Sequence, residues 1–201
     1  KTQTMDKVVN LFDEEIKRYL TSLAREQLTE KESKRCIEII NFATNLEHIG
    51  DIITADLIHN ISQKKVVPRA KMSLQDREEI NNLYQPVLKS FHLSMNVFSS
   101  GDISMARLLM AKKYKIGKRE KELVVTHLNK LRDEVTYDSK LSALQLDILR
   151  DLKRINYHLT SVAYPILEKA GQLRTRLRSA EAADVSAPSQ LAFGGTTINE
   201  R

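Results

Sequence analysis

Two pairs of oxygen-bearing side chains, each pair spaced four residues apart, are the clearest chemical signal in this sequence. Glu47 and Asp51 form one pair, and Asp6 and Asn10 form the other. Residues four apart lie on nearly the same side of an α-helix. If the two helices that carry them pack antiparallel, the four side chains converge and could bind one cation. Carboxylate and amide oxygens suit magnesium, calcium, manganese or oxidised iron, with zinc less preferred.

A solvated surface is the alternative explanation, because acidic residues at helical spacing are common on exposed helix faces. Glu47 and Asp51 share their arc of the helix with apolar residues, among them Ile40 and Ala55. Carboxylates in such a place are predicted to be partly desolvated and to need a compensating partner. His48 is one residue further round the helix, and we predict that it takes no part in the site.

Long helices must position these side chains, because the chain is poor in aromatic and turn residues. Aromatic residues make up 5% of the 201 residues, with no Trp, six Gly and four Pro. Apolar residues recur at three- and four-residue steps, which predicts an all-α, antiparallel helical bundle. The five predicted helices cover residues 5–23, 30–63, 73–99, 103–132 and 138–171, with a kink or restart of the third at Pro86.

The composition excludes several classes of protein. Cys36 is the single cysteine, so an internal disulfide and a cysteine-based zinc site are excluded, and a reducing compartment fits. The sequence has no apolar run of membrane-spanning length and no signal peptide. It begins with Lys1 and not Met, so we expect a segment of a longer protein whose other part could hold membrane spans.

The formal net charge is +6, and a basic block on the fourth predicted helix contributes much of it. A solvated helix face is one interpretation of this block, and contact with anionic lipid is another. No recognised nucleic-acid-binding motif accompanies these bases, so nucleic acid is not an expected partner. The members of the block are Lys112, Lys113, Lys115, Lys118, Arg119 and Lys121.

An internal repeat links two of the helices. Residues 45–51 (NLEHIGD) align with residues 151–157 (DLKRINY), and their Leu and Ile residues stay in phase. The first copy resembles the PhoU family motif Asp-Leu-Glu-Arg-Ile-Gly-Asp, which occurs twice in that family. The second copy diverges, and with residues 162–167 (VAYPIL) it resembles the PhoU domains at the C-terminal end of bacterial sodium/phosphate cotransporters.

The resemblance implies two repeats of three helices each. Repeat one would cover residues 1–63 with its second and third helices, and its first helix would lie upstream of Lys1. Residues 64–72 are then a connector, and residues 73–173 form a complete repeat two. Residues 174–201, rich in Ala, Ser and Gly, are predicted to be a disordered tail.

The resemblance also implies a function. It indicates a regulatory domain, not an enzyme, at the cytoplasmic face of the inner membrane, beside a transmembrane sodium/phosphate transporter region of the same full-length chain. A free-standing negative regulator of phosphate uptake and signalling is the alternative, and a homodimer is compatible with either. A di-iron enzyme is not expected, because the chain has no Glu-x-x-His motif.

In the PhoU family, paired acids on these two helices bind metal clusters. By resemblance, Glu47 and Asp51 match one pair, and Asp6 and Asn10 match the other. We therefore expect one cation site, for iron, magnesium or manganese, and no organic cofactor.

The equivalent positions of repeat two carry residues that cannot form such a site. We expect no second site, and we expect Lys153 to bond a neighbouring acid. The four equivalent residues are Lys113, Gly117, Lys153 and Tyr157.

Overall fold

Helices account for nearly all of the chain that the structure describes. The computed structural model describes residues 2–64, 72–133 and 139–172. No strand occurs in these ranges, so the all-α prediction is confirmed. Residues 65–71 of the predicted connector and the predicted tail at 174–201 lie outside the described residues. The elements are α1 (Thr2–Leu23), α2 (Glu30–Asp51), a π-helical segment (Ile52–Ile58), α3 (His59–Lys64), α4 (Leu74–Ser100), α5 (Ile103–Asp133), α6 (Ser139–Thr160) and α7 (Ala163–Lys169).

Capping residues fix where the long helices begin and end. Thr29 and Glu32 form a capping box at the start of α2: the Thr29 N–H donates to the Glu32 carboxylate at 2.8 Å, and the Glu32 N–H donates to Thr29 Oγ1 at 3.3 Å. Ser73 Oγ accepts a backbone N–H of the first turn of α4 at 3.0 Å. Gly101 ends α4 with a φ of 65°, a left-handed conformation that glycine adopts without strain.

Pro86 does not interrupt α4, which runs without a break from Leu74 to Ser100. A proline inside a helix removes one backbone hydrogen bond and strains the preceding turn. Leu83 and Val87, on either side of Pro86, are both buried in the same hydrophobic core. Packing of that face holds the helix together, so the predicted restart at this position is wrong.

The helix predicted over 138–171 is broken at residues 161–162, where α6 ends and α7 begins. Thr160 Oγ1 and Ser161 Oγ donate to the carbonyls of Tyr157 and His158, at 3.0 and 2.7 Å. Such side-chain bonds compete with the helical pattern. Pro165 also lacks the N–H that would bond the Ser161 carbonyl. A turn at this point is the result.

The two copies of the repeated motif share one core. Helices α2 and α6, which carry them, pack together. Ile49 of the first copy and Leu152 and Ile155 of the second copy are buried in the same cluster of apolar residues. The matched Leu and Ile positions thus keep the same structural role.

The two repeats differ in how many helices pack together within each. In repeat two, α4, α5 and α6 all pack against one another, whereas α1 packs mainly against α2. A groove of about 740 Å³ lies between α1, α2 and α4. Its apolar lining includes Met5 and Phe12, which are 60% and 63% exposed. Within the described ranges, no helix is both long enough and apolar enough to cross a membrane.

Candidate metal site

The helices α1 and α2 face each other in an antiparallel arrangement. Near the start of α1, Asp6 Oδ1 lies against Gly50, where an added Cβ atom would be only 2.9 Å away. Further along α1, Asp13 Oδ1 accepts a hydrogen bond from Thr44 Oγ1 at 3.4 Å. Residues further along α1 contact earlier residues of α2, so the two helices are antiparallel. Oxygen atoms of both helices therefore face one another across the interface.

Glu47 and Asp51 come together on α2, and His48 joins them. Ligand atoms of these three residues all lie within 4.8 Å of one another. His48 Nδ1 is 2.9 Å from Glu47 Oε2. Glu47 is partly buried, while His48 and Asp51 are exposed. His48 was predicted to take no part in the site, but its ring nitrogen lies beside the two carboxylates and is a potential ligand.

Asp6 and Asn10 stand on the opposite helix, outside that group of three. The Oδ1 atoms of both are buried, and neither has a hydrogen-bond partner in the described part of the protein. A buried oxygen without a partner costs free energy, on the order of 1–3 kcal/mol. These two oxygens, and the space that Gly50 leaves for Asp6, fit a cation that would supply the missing interaction.

Burial raises the pKa of Glu47 above its ordinary value, and the neighbouring Asp51 carboxylate raises it further. His48 opposes this effect, Asp13 adds to it, and Lys17 opposes it. The neighbouring carboxylates therefore destabilise the negative charge of Glu47. A bound cation would offset this repulsion and favour the charged form of the carboxyl group.

Asp13 belongs to the same surroundings, although the sequence analysis did not single it out. Its side chain is buried, and its carboxylate is paired with Lys17 Nζ at 2.6 Å. Asp13 follows Asn10 by three residues and Asp6 by seven, so all three occupy one face of α1. That spacing is the signal that could have identified it.

The equivalent place in repeat two is occupied by ammonium groups. Lys113 Nζ donates to Tyr164 Oη at 2.8 Å and lies 4.4 Å from the centre of the Tyr157 ring. Lys153 Nζ donates to Glu120 Oε2 at 2.8 Å, so the expectation that Lys153 bonds an acid is confirmed. Positive side chains stand where the acids of repeat one stand, and this arrangement disfavours a cation.

Comparisons with known proteins identify the family of this chain. The family model described as "PhoU domain" matches residues 1–61 and 69–166. A protein of Escherichia coli K12, named "Putative inorganic phosphate export protein YjbB", is 34% identical over 161 residues, which are 80% of this chain and 30% of that protein. Its namesake in Salmonella typhimurium LT2 is 34% identical over 164 residues, 82% of this chain and 30% of that protein.

The chain thus spans about three-tenths of the length of these curated relatives. No solved structure shows a significant match to it. The family match covers both repeats, including the helices that carry the two acidic pairs and their lysine-bearing counterparts. The chain belongs to the PhoU domain family.

Proposed function

We propose that this chain is the cytoplasmic regulatory domain of a sodium/phosphate cotransporter, and that a cation held between α1 and α2 sets its regulatory state. The main support for this proposal is the arrangement of side chains between α1 and α2. Glu47, whose pKa is raised by burial and by the neighbouring Asp51 carboxylate, lies on α2, and two buried oxygens of α1 have no partner in the described residues. The domain works by binding and not by catalysis.

The relatives support a role in phosphate transport. Those proteins are named for inorganic phosphate export, and they are about three times longer than the region they share with this chain. A transporting region in the same full-length protein is consistent with that difference. The sodium coupling and the place at the inner face of the membrane follow from the sequence resemblance, and they are part of the proposal.

A helix upstream of Lys1 is part of the same proposal. In repeat two, α4 packs across both α5 and α6, and repeat one offers an apolar groove beside α1 and α2. An amphipathic helix in that groove would cover Met5 and Phe12, which are now mostly exposed. It would complete a three-helix repeat.

The cation's role in this proposal is to join α1 to α2. Glu47 and Asp51 would bind it from α2, while Asp6 and Asn10 would bind it from α1, with His48 available as a nitrogen ligand. Without the cation, repulsion among the acids weakens the contact between the two helices. The position of α1 would then report whether the site is filled.

Metal analysis of purified protein tests the site. We expect about one equivalent of iron, manganese or magnesium per chain by elemental analysis, and loss of at least about tenfold in affinity for the double variant Glu47→Ala/Asp51→Ala, because two of the oxygen ligands are removed. A matched control is Glu26→Ala/Glu30→Ala, which removes an exposed acidic pair at the same spacing. Equal metal content in all three proteins would overturn the site.

Phosphate transport by the full-length protein tests the regulatory role. We expect the site variant to change phosphate flux in cells at unchanged protein level, while the control variant does not. If the full-length protein carries no membrane region and fractionates with the soluble proteins, the free-standing regulator is the correct alternative. If the site variant loses its metal but phosphate flux does not change, the metal site stands and its regulatory role is contradicted.

A further inference from the structure

The outward face of α5 carries most of the basic block. Its inward face is buried against α4, α6 and α7, through residues such as Leu109, Ile116 and Leu123. Bases occupy the opposite side over about four turns of helix. All are exposed or partly exposed: Arg107, Lys112, Lys115, Lys118, Arg119 and Lys121.

This positive charge is largely uncompensated. Glu122 is the one exposed acid between residues 105 and 125, and it pairs with Arg119 at 3.5 Å. The four lysines 112, 115, 118 and 121 have no ion pair within the described ranges. Elsewhere, several exposed bases do have acidic partners: Arg18 pairs with Glu15, Lys34 with Glu30, and Lys169 with Glu38 at 2.5 Å. The face of α5 therefore presents free charge to a partner.

Apolar side chains are interspersed among these bases. Tyr114 is 75% exposed, Val125 57% and Leu108 51%, all on the solvent side of α5. Tyrosine with one apolar and one polar end is suited to the interface between lipid headgroups and acyl chains. Lysines can extend their ammonium groups to phosphates at the same depth. Together they match the pattern of a surface that binds an anionic bilayer.

The geometry of α5 disfavours nucleic acid as the partner. A helix that reads DNA enters the major groove, which is about 12 Å wide, roughly the diameter of one helix with its side chains. Helix α5 is packed against α4, α6 and α7. Helix α5 would have to enter the groove with these neighbours attached, whereas a bilayer presents a broad, open surface that its outward face can meet along its whole length.

We propose that the outward face of α5 docks on the surface of a bilayer that contains anionic phospholipid. Helix α5 packs against α4, α6 and α7, and the candidate metal site lies between α1 and α2, so the docking face and that site belong to different helices. This inference rests on the charge and exposure of α5. It does not depend on the metal site or on the regulatory proposal.

Vesicle binding by the 201-residue chain tests the proposal. We compare flotation with vesicles of phosphatidylcholine alone and of phosphatidylcholine with 30% phosphatidylglycerol, a composition chosen for the test. We expect binding to the anionic vesicles only, lost as salt rises. The variant Lys112→Gln/Lys115→Gln/Lys118→Gln/Lys121→Gln should bind at least about tenfold more weakly, since each base near an anionic surface contributes roughly fivefold.

A matched control separates this face from net charge. Arg25→Gln/Lys31→Gln/Arg77→Gln/Lys89→Gln removes the same number of charges from exposed positions on other helices and turns. We expect it to bind nearly as well as the parent, and circular dichroism should show both variants folded. Equal losses in the two variants would overturn the proposal, as would equal binding to neutral vesicles. Tighter binding to a DNA duplex or an acidic peptide than to anionic vesicles would also overturn it.

Discussion

The helix pairs α1–α2 and α5–α6 carry opposite charges at equivalent positions. Where α1 and α2 have Asp6 and Glu47, α5 and α6 have Lys113 and Lys153. Asp6 and Asn10 of repeat one have buried oxygens without partners in the described structure, as do Asp151 and Asn156 of repeat two, but only in repeat two do lysines stand at the matched positions, and Lys113 and Lys153 each have a partner within 3 Å. Under the proposed function, the interface between α1 and α2 binds an added cation, whereas the interface between α5 and α6 already contains ammonium groups as side chains.

This difference lies in the polar residues beside the core, because the matched isoleucines of the two motifs have kept the same role. Ile49 and Ile155 are each 7% exposed and share one core. Packing holds the repeat geometry, and the charges beside it have diverged. Under the proposed function, the contact between α1 and α2 depends on a bound cation, whereas α5 and α6 are joined by the bond from Lys153 to Glu120 within the chain itself.

The largest effect should come from Leu152, whose counterpart in repeat one is Leu46. Leu152 is 5% exposed in the core, whereas Leu46 is only partly buried and lines the apolar groove. We expect Leu152→Ala to lower the free energy of unfolding by about 2–5 kcal/mol, and Leu46→Ala by less than about half of that. Urea unfolding followed by circular dichroism measures both. Equal losses would mean that the groove is already covered in solution, for example by a second copy of the chain.

Substitutions at Lys153 and Glu47 should change the stability of the metal-free protein by a smaller amount and in opposite directions. Lys153→Gln leaves the buried Glu120 without its partner, and since Lys153 is half-exposed we expect a loss of only about 1 kcal/mol. Glu47→Gln removes a carboxylate that the fold disfavours, and it should stabilise. Because the pKa of Glu47 is raised on folding, its penalty appears as pH rises through that pKa.

Unfolding measured in a chelator at several pH values tests this pair. The gain from Glu47→Gln should be larger at neutral pH than below the ordinary pKa of a glutamate. A gain that does not change with pH would show that the charge of Glu47 is not its cause. A stabilising Lys153→Gln would remove the contrast between the two repeats.

The sequence predicted much of this architecture because most of it depends on periodic apolar residues and local capping. The helix starts near Thr29, Ser73 and Asp102 follow from side chains that bond the first turn. A bond from Lys153 to a neighbouring acid was also expected, and the structure identifies that acid as Glu120. The capping bonds are local, so the residues around each helix start are enough to reveal them.

Other features depend on contacts between distant parts of the chain. The burial of Asp13 arises from the approach of Thr44, and the group of Glu47, His48 and Asp51 depends on side-chain rotamers. The π-helical segment over Ile52–Ile58 inserts an extra residue per turn just after the motif. Apolar periodicity did not reveal it, because nearly every residue there is apolar.

The smallest effect on stability concerns two glycines inside helices. At Gly117 an added Cβ meets nothing within 4 Å, so Gly117→Ala should stabilise by about 0.5–1 kcal/mol through helix propensity. At Gly50 the same atom would lie 2.9 Å from Asp6 Oδ1, and that side chain must move. We expect Gly50→Ala to gain less stability than Gly117→Ala, measured by thermal unfolding in a chelator.

The same two variants separate packing from ligand binding. Displacing Asp6 should weaken the affinity for manganese, measured by calorimetry, while Gly117→Ala leaves it unchanged because Gly117 lies in the repeat without the acids. Equal manganese affinity in parent and Gly50→Ala would show that Asp6 is not a ligand. The site would then rest on Glu47, His48 and Asp51 of α2 alone, and a cation could no longer couple α1 to α2 through Asp6.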